Sequence, residues 1–362
     1  MKGKMMKGKS LINILLLSIT LSGIVLADIQ LPSPLPKIGG VYNKNPYPAY
    51  DVNFPNGVKG IPGVVYWQPM GFRPLTLDLY LPPGSVEKPS SGFPLVVFIH
   101  GGAWIGGDSR GNGPFDDFPG VLASLSAKGY VVASIEYRLS GEAKFPAQIQ
   151  DVKAAIRFLR RNASKYGINP SKAVTWGTSA GGHLAALAAV SCNAEALEPK
   201  QPNIPFAPAN PDPLTSSNVS DCVQGSIVWY GVFDFATVVT QSKEDKAMPR
   251  DSAGAPEWQL LGCFGKDCKP EQIAFVSPVS YVDSNDPPML LIAGDQDRVV
   301  PYHQTLEMAE KLKAAGVKHE LIVLPGSNHG FMGKTPQQTR DDNLKALEAT
   351  FRFIDQTIGT SK

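Results

Sequence analysis

The chain has 362 residues, 43% of them hydrophobic and 18% charged, which is the balance of a folded globular protein with a substantial core and not of a disordered one. The formal net charge of +2 excludes the strongly basic surface that a nucleic-acid partner requires. Four cysteines are too few for a disulfide scaffold and lack zinc-site spacing.

The chain opens with Lys2, Lys4, Lys7 and Lys9, followed by an almost wholly apolar stretch from Leu11 to Val25 and the small-residue site Val25-Leu26-Ala27. This is the pattern of a secretory signal, with cleavage expected after Ala27. The apolar stretch is short for a spanning helix and carries Asn13, Ser18, Thr20 and Ser22, and no later stretch is long and apolar enough to span. No membrane span is therefore expected after cleavage. Removing the four lysines of residues 1–27, which contain no acids, takes the charge to −2. In an oxidising compartment the simplest pairing is Cys192–Cys222 with Cys263–Cys268, although four cysteines allow three connectivities. Asn162-Ala-Ser164 and Asn218-Val-Ser220 match the N-glycosylation pattern, which matters only in a eukaryotic secretory route.

Residues 28–63, rich in Pro, Gly and Asn, read as an ordered arm or a linker before a single large domain over 64–358. A strand-then-helix rhythm follows. Strands are expected at Leu75–Tyr80, Leu95–Ile99, Tyr130–Ile135, Ala173–Trp176, Ser226–Tyr230, Met289–Ala293 and Leu321–Leu324. Helices are expected at Ala147–Arg161, Ala180–Val190, Tyr302–Ala315 and Asp341–Ile354, with irregular insertions near 193–222 and 236–280. Continuous apolar strands alternating with helices specify an α/β fold with a mostly parallel central sheet covered on both faces.

In such sheets ligands bind beyond the carboxyl ends of the strands, so the loops there come first. Gly177-Thr178-Ser179-Ala180-Gly181 follows a strand and opens a helix. This is the context in which G-x-S-x-G presents a serine on a tight turn at a helix N-terminus. His100-Gly101-Gly102-Ala103-Trp104 follows another strand, and its backbone N–H groups, with that of Ala180, are candidates for an oxyanion hole. His100 itself reads as a loop organiser. Asp295 and Asp297 both follow the Met289–Ala293 strand and compete for the role of an acid orienting a histidine, with Asp295 also suited to organising the turn. Of the five histidines, only His329 lies in a carboxyl-end loop downstream of a candidate acid; His183 sits on the helix behind Ser179, His303 starts a helix and His319 precedes a strand. The order Ser179, Asp297, His329 is that of an α/β-hydrolase triad.

These residues give the sequence its resemblance to α/β-hydrolases of the hormone-sensitive-lipase-like esterase group, in particular the feruloyl-esterase-like BD-FAE branch. It rests on His100–Trp104, Glu136–Ser140 with Phe145–Ala147 and Asp151–Lys153, Gly177–His183, Gly294-x-x-Asp297-x-x-Val300-Pro301 and His329–Phe331, and spans about residues 64–356. The resemblance implies that Ser179 is the nucleophile, Asp297 the acid in preference to Asp295, His329 the base, and Gly102, Ala103 and Ala180 the oxyanion donors. Two departures stand out: Ala103 replaces the third glycine of the usual His-Gly-Gly-Gly, and Thr178 replaces the Asp that precedes the serine in many lipase-like relatives. The expected activity is hydrolysis of a small-molecule ester through an acyl-enzyme, with no metal or organic cofactor, and with Trp104 and Phe331 lining the substrate pocket. An amidase on the same frame and a hydrolase-fold binding protein are the alternatives; matched ester and amide substrates and a serine-reactive fluorophosphonate separate them.

Overall fold

The structure is a computed structural model that describes residues 51–200 and 219–359. The expected signal, the arm up to residue 50, Asn218 and the middle of the first insertion lie outside the described residues. The strands are β1 (Val52–Asn53), β2 (Lys59–Trp67), β3 (Leu75–Leu81), β4 (Phe93–Ile99), β5 (Val131–Ile135), β6 (Ile168–Thr178), β7 (Gly225–Trp229), β8 (Met289–Gly294) and β9 (His319–Leu324). They form a nine-stranded sheet in the order β1-β2-β3-β5-β4-β6-β7-β8-β9. The pairs at the β1 end are antiparallel as far as β3 with β5, and every pair from β5 with β4 to β8 with β9 is parallel. This is an α/β-hydrolase fold.

The helices are α1 (Phe118–Ser126), α2 (Ala147–Arg161), α3 (Ala163–Tyr166), α4 (Ala180–Val190), α5 (Val238–Glu244), α6 (Pro256–Leu261), α7 (Pro270–Val276), α8 (His303–Ala314) and α9 (Pro336–Ile358). Strand side chains alternate between two cores, as the period of two requires. Leu95, Val97 and Ile99 of β4 pack with α2, α4 and α8 on one face. Val96 and Phe98 pack with α1 and α9 on the other. Every residue of β4 and of β8 is buried, which is why these strands read as unbroken apolar runs.

Three expectations shift. The segment read as an arm or linker up to residue 63 contains β1 and the first part of β2, which belong to the sheet, with β2 pairing antiparallel from Lys59 opposite Leu81 to Trp67 opposite Leu75. A register shift between Ile61 and Val64 takes up Pro62 and Gly63, which disguised the strand, and Gly63 (φ +69°) donates its N–H to Asp78 Oδ1 at 2.8 Å. The strand expected at 173–176 runs from Ile168 to Thr178. The last helix starts at Pro336 and not at Asp341, because Thr335 caps it (Gln338 N–H to Oγ1, 3.1 Å) and proline suits the first turn. Both expected disulfides are present, Cys192–Cys222 and Cys263–Cys268, with Cα atoms 4.9 and 5.2 Å apart. Among the described residues no helix is long and apolar enough to cross a membrane.

Candidate active site

Ser179 is the single residue between β6 and α4, at φ 55° and ψ −120°. Such a backbone costs of order 1–3 kcal/mol and persists only where its surroundings impose it. Here they do. Ser179 N–H donates to Trp229 O at 2.9 Å, and its carbonyl accepts from His183 N–H at 3.0 Å. The flanking glycines leave no space for a side chain: a Cβ on Gly177 would lie 2.1 Å from Gly181 O, and one on Gly181 would lie 2.1 Å from Ile99 O. The turn is therefore pressed between β4, β6 and α4, and the serine is the side chain left standing over the sheet.

His329 lies beyond β9, and its Nε2 is 3.1 Å from Ser179 Oγ. Its Nδ1 is 2.7 Å from Asp297 Oδ2. The buried carboxylate accepts a hydrogen bond from Nδ1–H, so Nε2 keeps a lone pair facing the serine hydroxyl. Asp297 Oδ1 accepts two further hydrogen bonds, from the N–H groups of Val299 (2.8 Å) and Val300 (2.9 Å). Asp295 instead accepts the Gly326 N–H at 2.7 Å, tying its loop to the turn after β9. Asn328 fixes His329 from the other side: its Oδ1 accepts from both Arg298 N–H and His329 N–H, each at 2.7 Å.

The loop after β4 is a tight turn in which Gly106 N–H and Ile105 N–H both donate to Gly102 O at 3.0 Å. Gly102 has φ +107°, and a Cβ on it would lie 2.1 Å from Gly106 O, so only glycine fits. Ala103 and Trp104 also have positive φ, 56° and 58°. Gly102 and Ala103 line a cleft of about 630 Å³ together with Ser179 and His329. Ala180 is the first residue of α4, where a backbone N–H has no partner within the helix. His100 is buried and braces this loop: its Nδ1 lies 2.6 Å from Gly101 O, and its ring stacks on Tyr137 at 4.4 Å. Burial holds its pKa below the ordinary histidine value.

Two pocket assignments do not hold. Trp104 is 1% exposed and packs on His183 and Phe235, with centroids 5.2 and 5.8 Å away. Phe331 is fully buried against Trp229 and Tyr230, 5.1 and 4.8 Å away. Both are large apolar side chains beside the site that the two cores absorb, so neither lines the cleft. Its walls come instead from Asn112, Pro114, Tyr230, Val299 and Met332. Tyr230 had a legible signal, since it directly follows the carboxyl end of β7; its ring lies 4.5 Å from that of His329. Thr178 Oγ1 donates to Asn112 Oδ1 at 2.9 Å, which joins the elbow to the loop opposite.

The other histidines are engaged elsewhere. His183 Nε2 lies 2.8 Å from Val276 O in the core, where burial lowers its pKa to about 4. His303 Nδ1 lies 2.5 Å from Asp245 Oδ1, and His319 Nδ1 3.0 Å from Val317 O. Among the described residues no three His, Cys, Asp or Glu side chains are grouped to hold a metal ion.

Comparison with known proteins agrees with this fold. The BD-FAE family model matches residues 77–312, and the dienelactone hydrolase family model matches residues 268–358. The chain is 31% identical to Esterase LipC of Mycobacterium tuberculosis, over 68% of this chain and 55% of that protein. It is 30% identical to Esterase LipQ of the same organism, over 72% and 55%. The chain thus spans about half the length of the curated relatives it matches. Among solved structures, a truncated carbohydrate esterase from gut microbiota superposes with a TM-score of 0.65 at 27% identity, covering 85% of this chain and 99% of the other. Esterase Est2 of Thermogutta terrifontis gives 0.61 at 25% identity, covering 84% and 94%. With its model matched over residues 77–312, the family to which the chain belongs is BD-FAE.

Proposed function

We propose that the protein is an exported serine carboxylesterase that hydrolyses small acyl or aryl esters through an acyl-enzyme. The observation that carries this reading is the continuous relay Asp297–His329–Ser179, with spacings of 2.7 and 3.1 Å, at the floor of an open cleft. His329 Nε2 takes the Ser179 proton as Oγ attacks the ester carbonyl, and the imidazolium that forms is held by Asp297. The carbonyl oxygen, now an anion, is received by the N–H groups of Gly102, Ala103 and Ala180, which are fixed before the substrate arrives. His329 then protonates the leaving alcohol and activates the water that releases the acid.

That proton transfer puts the alcohol on the His329 side of the cleft. There Pro114 and Met332 join the cleft to a second groove of about 570 Å³, lined by Phe115, Lys334, Arg340 and Leu344. The groove gives room for a large alcohol, and the carbohydrate esterase among the structural neighbours points to acylated saccharides as one source of it. Export is supported by the basic-then-apolar start of the chain and by two disulfides, which persist in oxidising compartments.

The test is hydrolysis of p-nitrophenyl esters from acetate to palmitate by the mature chain and by Ser179→Ala. Short-chain turnover is expected to fall by a factor on the order of 10⁴–10⁶ in the folded variant. Equal turnover by the two proteins would refute the assignment.

A further inference from the structure

The triad acid is held by two backbone donors, and both are fixed from behind by one short segment of the second insertion. The N–H groups of Val299 and Val300 converge on Asp297 Oδ1. Each belongs to a planar trans peptide whose carbonyl points the opposite way. The carbonyl on the Val299 N–H peptide is that of Arg298, and it accepts the Met248 N–H at 2.8 Å. The carbonyl on the Val300 N–H peptide is that of Val299, and it accepts Arg250 Nη2 at 2.5 Å.

We infer that Arg250 is a positioning residue for the catalytic acid, acting with the Met248 backbone through two consecutive peptide groups to aim the Asp297 carboxylate at His329. The arrangement is a guanidinium bonded to a carbonyl, whose peptide N–H is bonded to a carboxylate, and hydrogen bonds in such a chain polarise one another. The same guanidinium fixes where the peptide lies and strengthens its N–H as a donor. Arg250 is itself immobilised. It is 3% exposed, its Nε lies 3.0 Å from Glu257 Oε1, and its carbonyl accepts the Trp258 Nε1–H at 2.7 Å. Glu257 and Trp258 belong to α6, and Trp258 packs in a small cluster with Ala255 and Cys268. A buried ion pair is a poor source of stability, because desolvation offsets its attraction, so its place behind the acid loop calls for another reason. Orientation of Asp297 is that reason. Burial raises the Glu257 pKa and the adjacent guanidinium opposes that rise, so the two groups are treated together in the test.

The inference rests on the proposed esterase reading, and the test separates the two. Arg250→Met with Glu257→Gln removes the guanidinium without stranding a buried carboxylate. Misplacement of a catalytic group by about an ångström slows chemistry roughly 10- to 100-fold, so kcat on p-nitrophenyl acetate is expected to fall by that factor, with KM within about twofold. In an Asp297→Ala background the same pair of substitutions is expected to change kcat by less than about twofold, because the group it positions is gone. Arg250→Lys, which keeps the charge opposite Glu257, gives a smaller loss of the same pattern and serves if the double variant does not fold. The low-field resonance of the His329 Nδ1 proton reports the Asp297 contact without turnover, and it is expected to move in either variant. If the wild-type enzyme lacks esterase activity, the functional reading fails and this resonance still decides the positioning role. An unmoved resonance, unchanged kcat, or an equal loss with and without Asp297 overturns it.

Discussion

The sharpest perturbation of the site is one methyl group at Gly181. This residue is at the second position of α4, where alanine is the better helix former by up to about 1 kcal/mol. On local propensity alone, Gly181→Ala should stabilise. The packing predicts the reverse. The new Cβ would lie 2.1 Å from Ile99 O and 2.3 Å from His100 O, more than an ångström short of ordinary contact. Both neighbours are backbone atoms, so no side-chain rotation relieves the overlap, and the end of β4 must separate from α4. Overpacking of this kind costs about 1–3 kcal/mol, which exceeds the propensity gain. The same displacement carries the loop at Gly102 and Ala103 away from Ser179, and in the proposed mechanism the loss of oxyanion alignment costs roughly 100-fold in kcat. Gly106→Ala is the control from the same loop, since a Cβ there meets nothing within 4 Å. Thermal unfolding and p-nitrophenyl acetate kinetics on both variants are the assay. A Gly181→Ala protein with a Tm at or above wild type and kcat within threefold would refute the packing argument.

Other substitutions divide catalysis from architecture. Asp297→Asn should lower kcat by a factor on the order of 10³–10⁴ with a native melting curve, because the amide no longer imposes the productive His329 tautomer. Asp295→Ala should instead lose about 1 kcal/mol by freeing the Gly326 N–H, with kcat within severalfold; urea unfolding and kinetics on the pair separate the roles. His183, whose folded pKa of about 4 lies below its unfolded value, binds fewer protons folded than unfolded between these values. Its contribution to stability is therefore complete above the unfolded pKa of about 6.5 and fades as the pH falls towards 4, by roughly 2 kcal/mol between pH 7 and pH 5. Urea titrations of wild type and His183→Gln at both pH values should differ by that amount, and parallel losses would refute the assignment. Replacing Cys192 and Cys222 by alanine opens a loop with a sequence separation of 30, and should lower stability by about 3.5 kcal/mol. The Cys263–Cys268 pair, with a separation of 5, should cost about 2 kcal/mol, and the order of the two Tm shifts is the check.

What could be read in the sequence follows from the range over which each residue is determined. Gly177, Gly181 and Gly102 mark places where backbone meets backbone, and their motifs carry that requirement in a few consecutive residues. The helices Ala147–Arg161 and Ala180–Val190 have the expected bounds, because the first carries a local apolar periodicity and the second is a run of small and apolar residues, buried throughout, that begins directly after Ser179. β2 was hidden because Pro62 and Gly63 break its pattern, and only its partner β3 supplies the register that admits them. Trp104 and Phe331 lie within two positions of Ala103 and His329 in sequence, which suggests pocket positions. Which way such a ring turns depends on whether Phe235 and Trp229 are there to cover it. Arg250 is the extreme case. It is 47 positions from Asp297 in a segment without periodicity, and its link to that carboxylate exists only through the Val299–Val300 peptide group, which the fold brings between them. A motif specifies which atoms react. How firmly those atoms are held is distributed over residues that touch only the backbone, and backbone contacts leave little trace in side-chain pattern. Substitutions behind the acid loop should therefore alter kcat more than inspection of the cleft suggests.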